Sequence, residues 1–153
     1  MKQILSFLFF SLLITFNTNA QKKPLTHDDI ESWKRISEKL ISPDGEWIAY
    51  KTEPWKGDSK IFLYGKDGNK AFEFECGTDI RITDDSGFLI YTIEPEYEYI
   101  RELKLKKTKE KDMPSDILGI YNISTGDLDS LKEFRNYKIP QNWSGYLAYQ
   151  LEP

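Results

Sequence analysis

The sequence predicts an all-β fold built from repeated antiparallel units, and three observations carry that reading. One phrase is written three times: "WIAYKTEP" (Trp47 to Pro54), "FLIYTIEP" (Phe88 to Pro95) and "YLAYQLEP" (Tyr146 to Pro153). Asp/Gly turns, "SPDGEW" and "TDDSGF", feed the first two copies. The chain of 153 residues is 14% aromatic, and aromatic and β-branched side chains suit a pleated, half-buried surface. Self-similarity at a fixed spacing within one chain marks a repeat architecture.

Each phrase reads as a strand. Tyr50, Tyr91 and Tyr149 coincide, as do Glu53, Glu94 and Glu152, and Pro54, Pro95 and Pro153. A glycine (Gly45, Gly87, Gly145) stands just before each copy. A short apolar run bounded by a Gly turn predicts a strand buried on both faces. Proline closes it, because proline cannot donate to the ladder and holds the preceding residue extended. The first two copies start 41 residues apart, and a period near that value with several strands per unit is the signature of a β-propeller blade.

The elements follow in chain order. Residues 1–20 have the layout of a cleavable secretory signal: Lys2, then the apolar core Ile4 to Phe16, then a small residue, Ala20. The core is too short to span a bilayer, which takes about 20 apolar residues. The mature product is therefore expected to be exported, periplasmic or secreted, with no membrane partner after signal removal. Residues 21–38 form an N-terminal segment. Thr26 with Asp29 resembles a capping box, and Ile30, Trp33 and Ile36 recur at helical spacing, which predicts a short helix over 27–37 packed against the first blade.

Residues 39–153 read as an incomplete propeller. In the first unit the phrase is followed by "KIFLYG" (60–65), the "KDGN" turn, "AFEFEC" (71–76) and "DIRIT" (79–83), which makes four strands. The second unit repeats the order with "LGIYNI" (118–123), "STGD", "SLKEF" and "NYKIP". Its extra length falls in a Lys-rich insertion at about 96–116, read as a solvated excursion from the blade edge in preference to an anionic-ligand site. The third copy opens a third blade. Pro153 thus closes a strand but not a domain, and about two blades are fewer than the four to eight a closed propeller has. The expectation is a fragment, or a chain whose remaining blades lie elsewhere.

Composition excludes several function classes. The net charge of −4 argues against nucleic acid, since phosphate binding requires a basic surface. Cys76 is the single cysteine, so neither an intrachain disulfide nor a thiolate metal cluster can form. It is expected to be a small, partly buried hydrophobe in a strand. Asp28–Asp29 and Asp84–Asp85 are adjacent carboxylates, the first at a helix start and the second in a turn, where Asp is favoured without any catalytic role. His27 with Asp28 and Asp29 falls short of a metal site, which takes three or four converging ligands. The sequons at Asn122 and Asn142 read as turn composition, and Trp47, Phe88 and Tyr146 as core. No catalytic, cofactor-binding or metal-binding residue is assigned, and no cofactor is expected.

The order of motifs resembles a known family. "LTHDDIESWKRI" leading into "ISPDGEWIAY" is similar to the start of the N-terminal propeller of secreted bacterial peptidases of the prolyl oligopeptidase family. "EPEYEYIRELKLKKTKEKDMPSDILGIYNISTG" resembles the segment where such proteins run a Lys-rich stretch into "DMP", a Leu-Gly strand and a turn. The resemblance spans Leu25 to Pro153, although "SPDGEWIAY" alone is unspecific. It implies a two-part serine peptidase, in which a propeller limits peptide access to an α/β-hydrolase domain carrying a Ser-His-Asp triad. This sequence contains no G-x-S-x-G elbow and His27 is its one histidine. The expectation is therefore a gating propeller portion with no catalysis of its own, partnered by a hydrolase domain and, through it, by peptides. A non-enzymatic periplasmic propeller acting as a binding or scaffold module is the alternative, and a small self-contained secreted β protein the third.

Overall fold

The computed structural model describes residues 24–31, 33–141 and 145–151; of Asp28 and Glu31 it describes the backbone alone. The expected signal segment, the sequon at Asn142 and the closing Glu152 and Pro153 lie outside the described residues. The chain divides into two units between Ile30 and Glu31.

Helix α1 covers His27–Glu31. Its capping box forms: the Thr26 N–H and hydroxyl donate to Asp29 Oδ2 at 2.9 and 2.8 Å, and the Asp29 N–H returns to Thr26 Oγ1 at 3.4 Å. The helix does not reach residue 37, however. From Lys34 the chain is a strand, and Trp33 and Ile36, expected on a packed helical face, are exposed. Long-range pairing decides this. The strand Lys34–Ile41 aligns with the first phrase along its whole length, from Lys34 opposite Pro54 to Ile41 opposite Ile48, and a ladder of that length overrides a weak helical periodicity.

Three antiparallel sheets follow. The first is β1 (Lys34–Ile41), β2 (Trp47–Pro54), β3 (Lys60–Gly65) and β4 (Lys70–Glu75), in that spatial order. The second is β5 (Gly77–Ile82), β6 (Phe88–Ile93), β7 (Ile117–Asn122) and β8 (Leu128–Leu131), again in chain order. The third pairs β9 (Phe134–Lys138) with β10 (Ala148–Leu151). The result is a partial, propeller-like all-β fold, with no closed barrel among the described residues.

The grouping differs from the sequence expectation by one strand. The repeated phrase is the second strand of each sheet, so "DIRIT" opens the second sheet instead of closing the first, and "NYKIP" lies at the opening strand of the third. The chain changes sheet at Cys76, which is a turn residue at φ 58° and not part of a strand.

The turns entering β2 and β6 share one hydrogen-bond pattern. Trp47 and Phe88 N–H groups donate to Ser42 Oγ (2.9 Å) and Thr83 Oγ1 (3.0 Å). Ser42 and Thr83 N–H groups donate back to the Trp47 and Phe88 carbonyls at 2.9 and 3.0 Å. The left-handed position of this turn holds Gly45 at φ 74° in one copy and Ser86 at φ 56° in the other, so the structural counterpart of Gly45 is Ser86 and not Gly87. The "KDGN" and "STGD" turns likewise correspond, with Gly68 and Gly126 at φ 80° and 79°.

Period-two alternation places the core between the sheets. Ala49, Ile61 and Leu63 of the first sheet meet Ile80, Leu89, Tyr91 and Tyr121 of the second. Ile90 and Leu118 face the other way and are covered by Phe134, Tyr137 and Leu147. Strand β6 is thus buried on both faces, as its apolar run predicts, whereas β2 buries one face and β10 is exposed. Trp47 and Phe88 pack on these cores, but Tyr146 is 69% exposed and does not belong to one.

Polar links cross the same junctions. Glu38 of β1 accepts from Lys51 Nζ (2.7 Å) and from the Ile80 N–H (3.0 Å) at the start of the second sheet. Tyr137 of β9 donates its hydroxyl to Asp79 Oδ2 at 2.8 Å. Both carboxylates sit where the opening strand of a sheet departs from regular register, between Ile36 and Glu38 and between Thr78 and Arg81. Such a bulge bends the strand and re-aims its side chains.

Candidate functional site

A concavity lined by carboxylates lies at one end of the first two sheets. Two connections of the same type meet there: Trp55–Ser59 between β2 and β3, and the long connection 94–116 between β6 and β7. The second contains helix α2 (Tyr97–Leu105) and a 3-10 turn (Glu110–Asp112), where the sequence predicts only a solvated excursion. Ile100 and Leu103 at helical spacing are the signal that could have found α2; both are half-buried. The Tyr97 N–H donates to Asp58 Oδ1 at 2.7 Å, which ties the helix start to the neighbouring hairpin.

Between these connections is a cleft of about 320 Å³ lined by Glu53, Asp58, Glu94 and Asp116, with Pro95, Tyr97 and Pro114 as apolar wall. Cys76 lies in its lining. The Cys76 N–H donates to the Ser59 carbonyl (2.8 Å), and the Glu94 N–H to the Cys76 carbonyl (2.7 Å), so the backbone of both sheets is stitched together there. Ser59, itself buried, donates its hydroxyl to the Gly77 carbonyl at 2.7 Å.

The electrostatics favour neutral or cationic groups in the cleft. Glu94 has its carboxyl pushed up, first by burial and then by the negative charge of Asp116, against a smaller opposing pull from Lys51. Glu53 is ion-paired with Arg35, whose Nη2 stands 2.9 Å from Glu53 Oε2. Burial, then the nearby Asp58, push the Cys76 thiol up to about 11, so it remains protonated and unreactive at neutral pH. Chemically the cleft can hold a hydrogen-bond donor or a cation; it offers neither a nucleophile nor a base–nucleophile pair.

Two of these residues were in view in the sequence. Glu53 and Glu94 are the same position of the repeated phrase, and the fold brings both copies to one cleft. Reading the Glu-Pro pair only as a strand stop hid this. The candidates weighed on other grounds go elsewhere. His27 is exposed in α1, and Asp29 serves as a cap. Asp85 accepts from Thr83 Oγ1 (2.6 Å) and the Gly87 N–H (3.1 Å), which hold its carboxyl below the usual range. Asn122 accepts from the Ser124 and Thr125 N–H groups (3.0 and 3.1 Å). Among the described residues no group of three His, Cys, Asp or Glu converges to hold a metal ion, and no helix is long and apolar enough to cross a membrane.

No protein-family model and no curated protein matches this chain. The fold is similar to a solved structure, the acylaminoacyl peptidase of Pyrococcus horikoshii in its orthorhombic crystal form. The TM-score is 0.51 at 14% sequence identity, and the match covers 74% of this chain and 17% of that one. The likeness is one of fold, and the chain spans less than a fifth of the length of that enzyme.

Proposed function

We propose that this chain is the N-terminal propeller portion of an exported serine peptidase resembling the prolyl oligopeptidase family, which limits access of peptides to a hydrolase domain. The observation that carries the reading is the repeat in three dimensions. Two four-stranded meanders and the opening pair of a third are stacked face to face, each phrase serving as second strand. Two independent lines support it. The fold likeness is to an acylaminoacyl peptidase, an enzyme of that family. The motif order from Leu25 onward resembles the family's propeller without depending on that comparison. In this reading the contribution of the chain is to exclude and admit, and the catalytic groups belong to the hydrolase domain.

The test is to read the coding sequence past Pro153 and to treat the full-length secreted product with a fluorophosphonate probe. The expected result is further phrase-bearing units, then a G-x-S-x-G elbow, with labelling of the full product and none of residues 21–153 alone. Further units ending without an elbow would replace this reading with the scaffold alternative. A stop directly after Pro153, with a monomeric and cooperatively folding product, would overturn both.

A further inference from the structure

We propose that the tip of the excursion between β6 and β7 is a docking surface for an anionic lipid bilayer. This is independent of the peptidase reading. The excursion leaves and rejoins the sheet at adjacent positions, Ile93 opposite Ile117, so its midpoint near Leu105 is the part of the connection furthest along the chain from either anchor. Between Arg101 and Lys111 there are six basic and two acidic residues, in a chain whose net charge is −4. Arg101 is paired with Glu98 (3.0 Å) and Lys106 loosely with Glu102 (3.5 Å). Lys104, Lys107, Lys109 and Lys111 have no acidic partner among the described residues.

Charge alone would suit any polyanion; the apolar side chains select the lipid surface. Leu105, between Lys104 and Lys106, is 74% exposed, and Tyr99 of the same helix is 52% exposed. Trp55, 81% exposed, is on the neighbouring hairpin, whose Lys56, Gly57 and Asp58 line one hollow with Tyr97 and Arg101. Basic residues beside exposed Leu, Tyr and Trp match the boundary between headgroups and acyl chains. Lys107, held in the left-handed region at φ 56°, ends the helix where glycine is usual and keeps the cation at the apex. Of the nearby acids, Glu98 and Glu102 are taken up by Arg101 and Lys106, and charges beyond about 8 Å are largely screened at physiological ionic strength. Such docking departs from the sequence expectation of no membrane partner, which rested on the lack of a spanning segment; peripheral docking requires none.

The experiment is co-sedimentation of the full chain with vesicles of phosphatidylcholine, alone or mixed with phosphatidylglycerol, at low and high salt. Binding is expected only to the mixed vesicles and is expected to weaken with salt. Replacing Lys104, Lys106, Lys107 and Lys109 together by Gln should weaken it by about tenfold or more, with the far-ultraviolet circular dichroism unchanged. Leu105→Ser should weaken binding while leaving its salt dependence in place. The proposal is overturned by equal binding to neutral vesicles, by a Gln variant that binds like the parent, or by an unaffected Leu105→Ser. Binding to soluble polyphosphate with none to the mixed vesicles also overturns it, since the surface would then recognise phosphate and not lipid.

Discussion

Glu38 and Lys51 meet at 2.7 Å across the first two strands, and the same carboxylate receives the backbone of the next sheet at Ile80. Lys51 is buried at 7% exposure and also reaches Thr78 Oγ1 at 2.8 Å, so one ion pair fixes both the register within a sheet and the seating of its neighbour. Removing one partner of such a pair leaves a buried charge behind. Glu38→Gln is expected to destabilise by about 2–3 kcal/mol, and the double variant Glu38→Leu, Lys51→Met by less than that. Urea unfolding of the two variants checks it; equal losses would show that the pair makes no specific contribution.

The two phrase-related and bulge-related carboxylates give opposite pH dependences. Burial acts to raise Glu38, but the hydrogen bonds from Lys51 and Ile80 outweigh it and hold its carboxyl below the ordinary 4.5. Its stabilisation is therefore present above pH 4.5 and is lost as pH falls through the lowered folded value. Glu94 is raised by burial and Asp116, so its ionised form opposes folding, and stability should rise as pH falls from neutral toward 4.5. In Glu94→Gln that rise should vanish while the acid loss below 4.5 remains. Thermal midpoints across pH 3 to 8 distinguish the two, and an unchanged profile in Glu94→Gln would remove the cleft from the explanation.

Gly119 exists to admit Tyr91. A Cβ at Gly119 would stand 2.6 Å from Tyr91 Cζ, too close to a ring that is wholly buried against Phe72 and Phe74. Gly119→Ala is expected to destabilise by about 1–3 kcal/mol. Among the described residues the Tyr91 hydroxyl has no hydrogen-bond partner, so Tyr91→Phe should leave stability unchanged or raise it by about 1 kcal/mol. A loss above 1 kcal/mol in Tyr91→Phe would mean the hydroxyl is satisfied.

Cys76 should be slow toward alkylation. With its thiol at about 11 against an ordinary 9.0, the thiolate fraction at neutral pH is lower by about a hundredfold. Iodoacetamide labelling should accelerate in alkaline solution and, at fixed pH, in Asp58→Asn, since Asp58 is the largest contributor after burial. Labelling at the rate of free cysteine at neutral pH would contradict the geometry of the cleft.

Much of this molecule is legible in its sequence. The strands "KIFLYG", "AFEFEC" and "LGIYNI" fall within one residue of β3, β4 and β7, because alternation and Asp/Gly turns are local properties. The capping box at Thr26 and Asp29 and the site of the insertion are local too. The cleft was legible only in part. Its two phrase glutamates stand 41 positions apart, and Asp116 lies 22 positions beyond the second, so no local pattern in the sequence brings them together.

Sequence by itself determined most of the strand segments, where the turns fall and that the unit repeats, since each rests on the period of two and on turn chemistry within a few residues. Tertiary structure alone decided which strands share a sheet. The boundary at Cys76 and the strand at Lys34–Ile41 depend on hydrogen bonds to distant partners, which a run of residues cannot encode on its own. The same pairing brings Glu53 and Glu94 to one cleft and sets Leu105 at the far end of its excursion, because register fixes where each connection begins and ends.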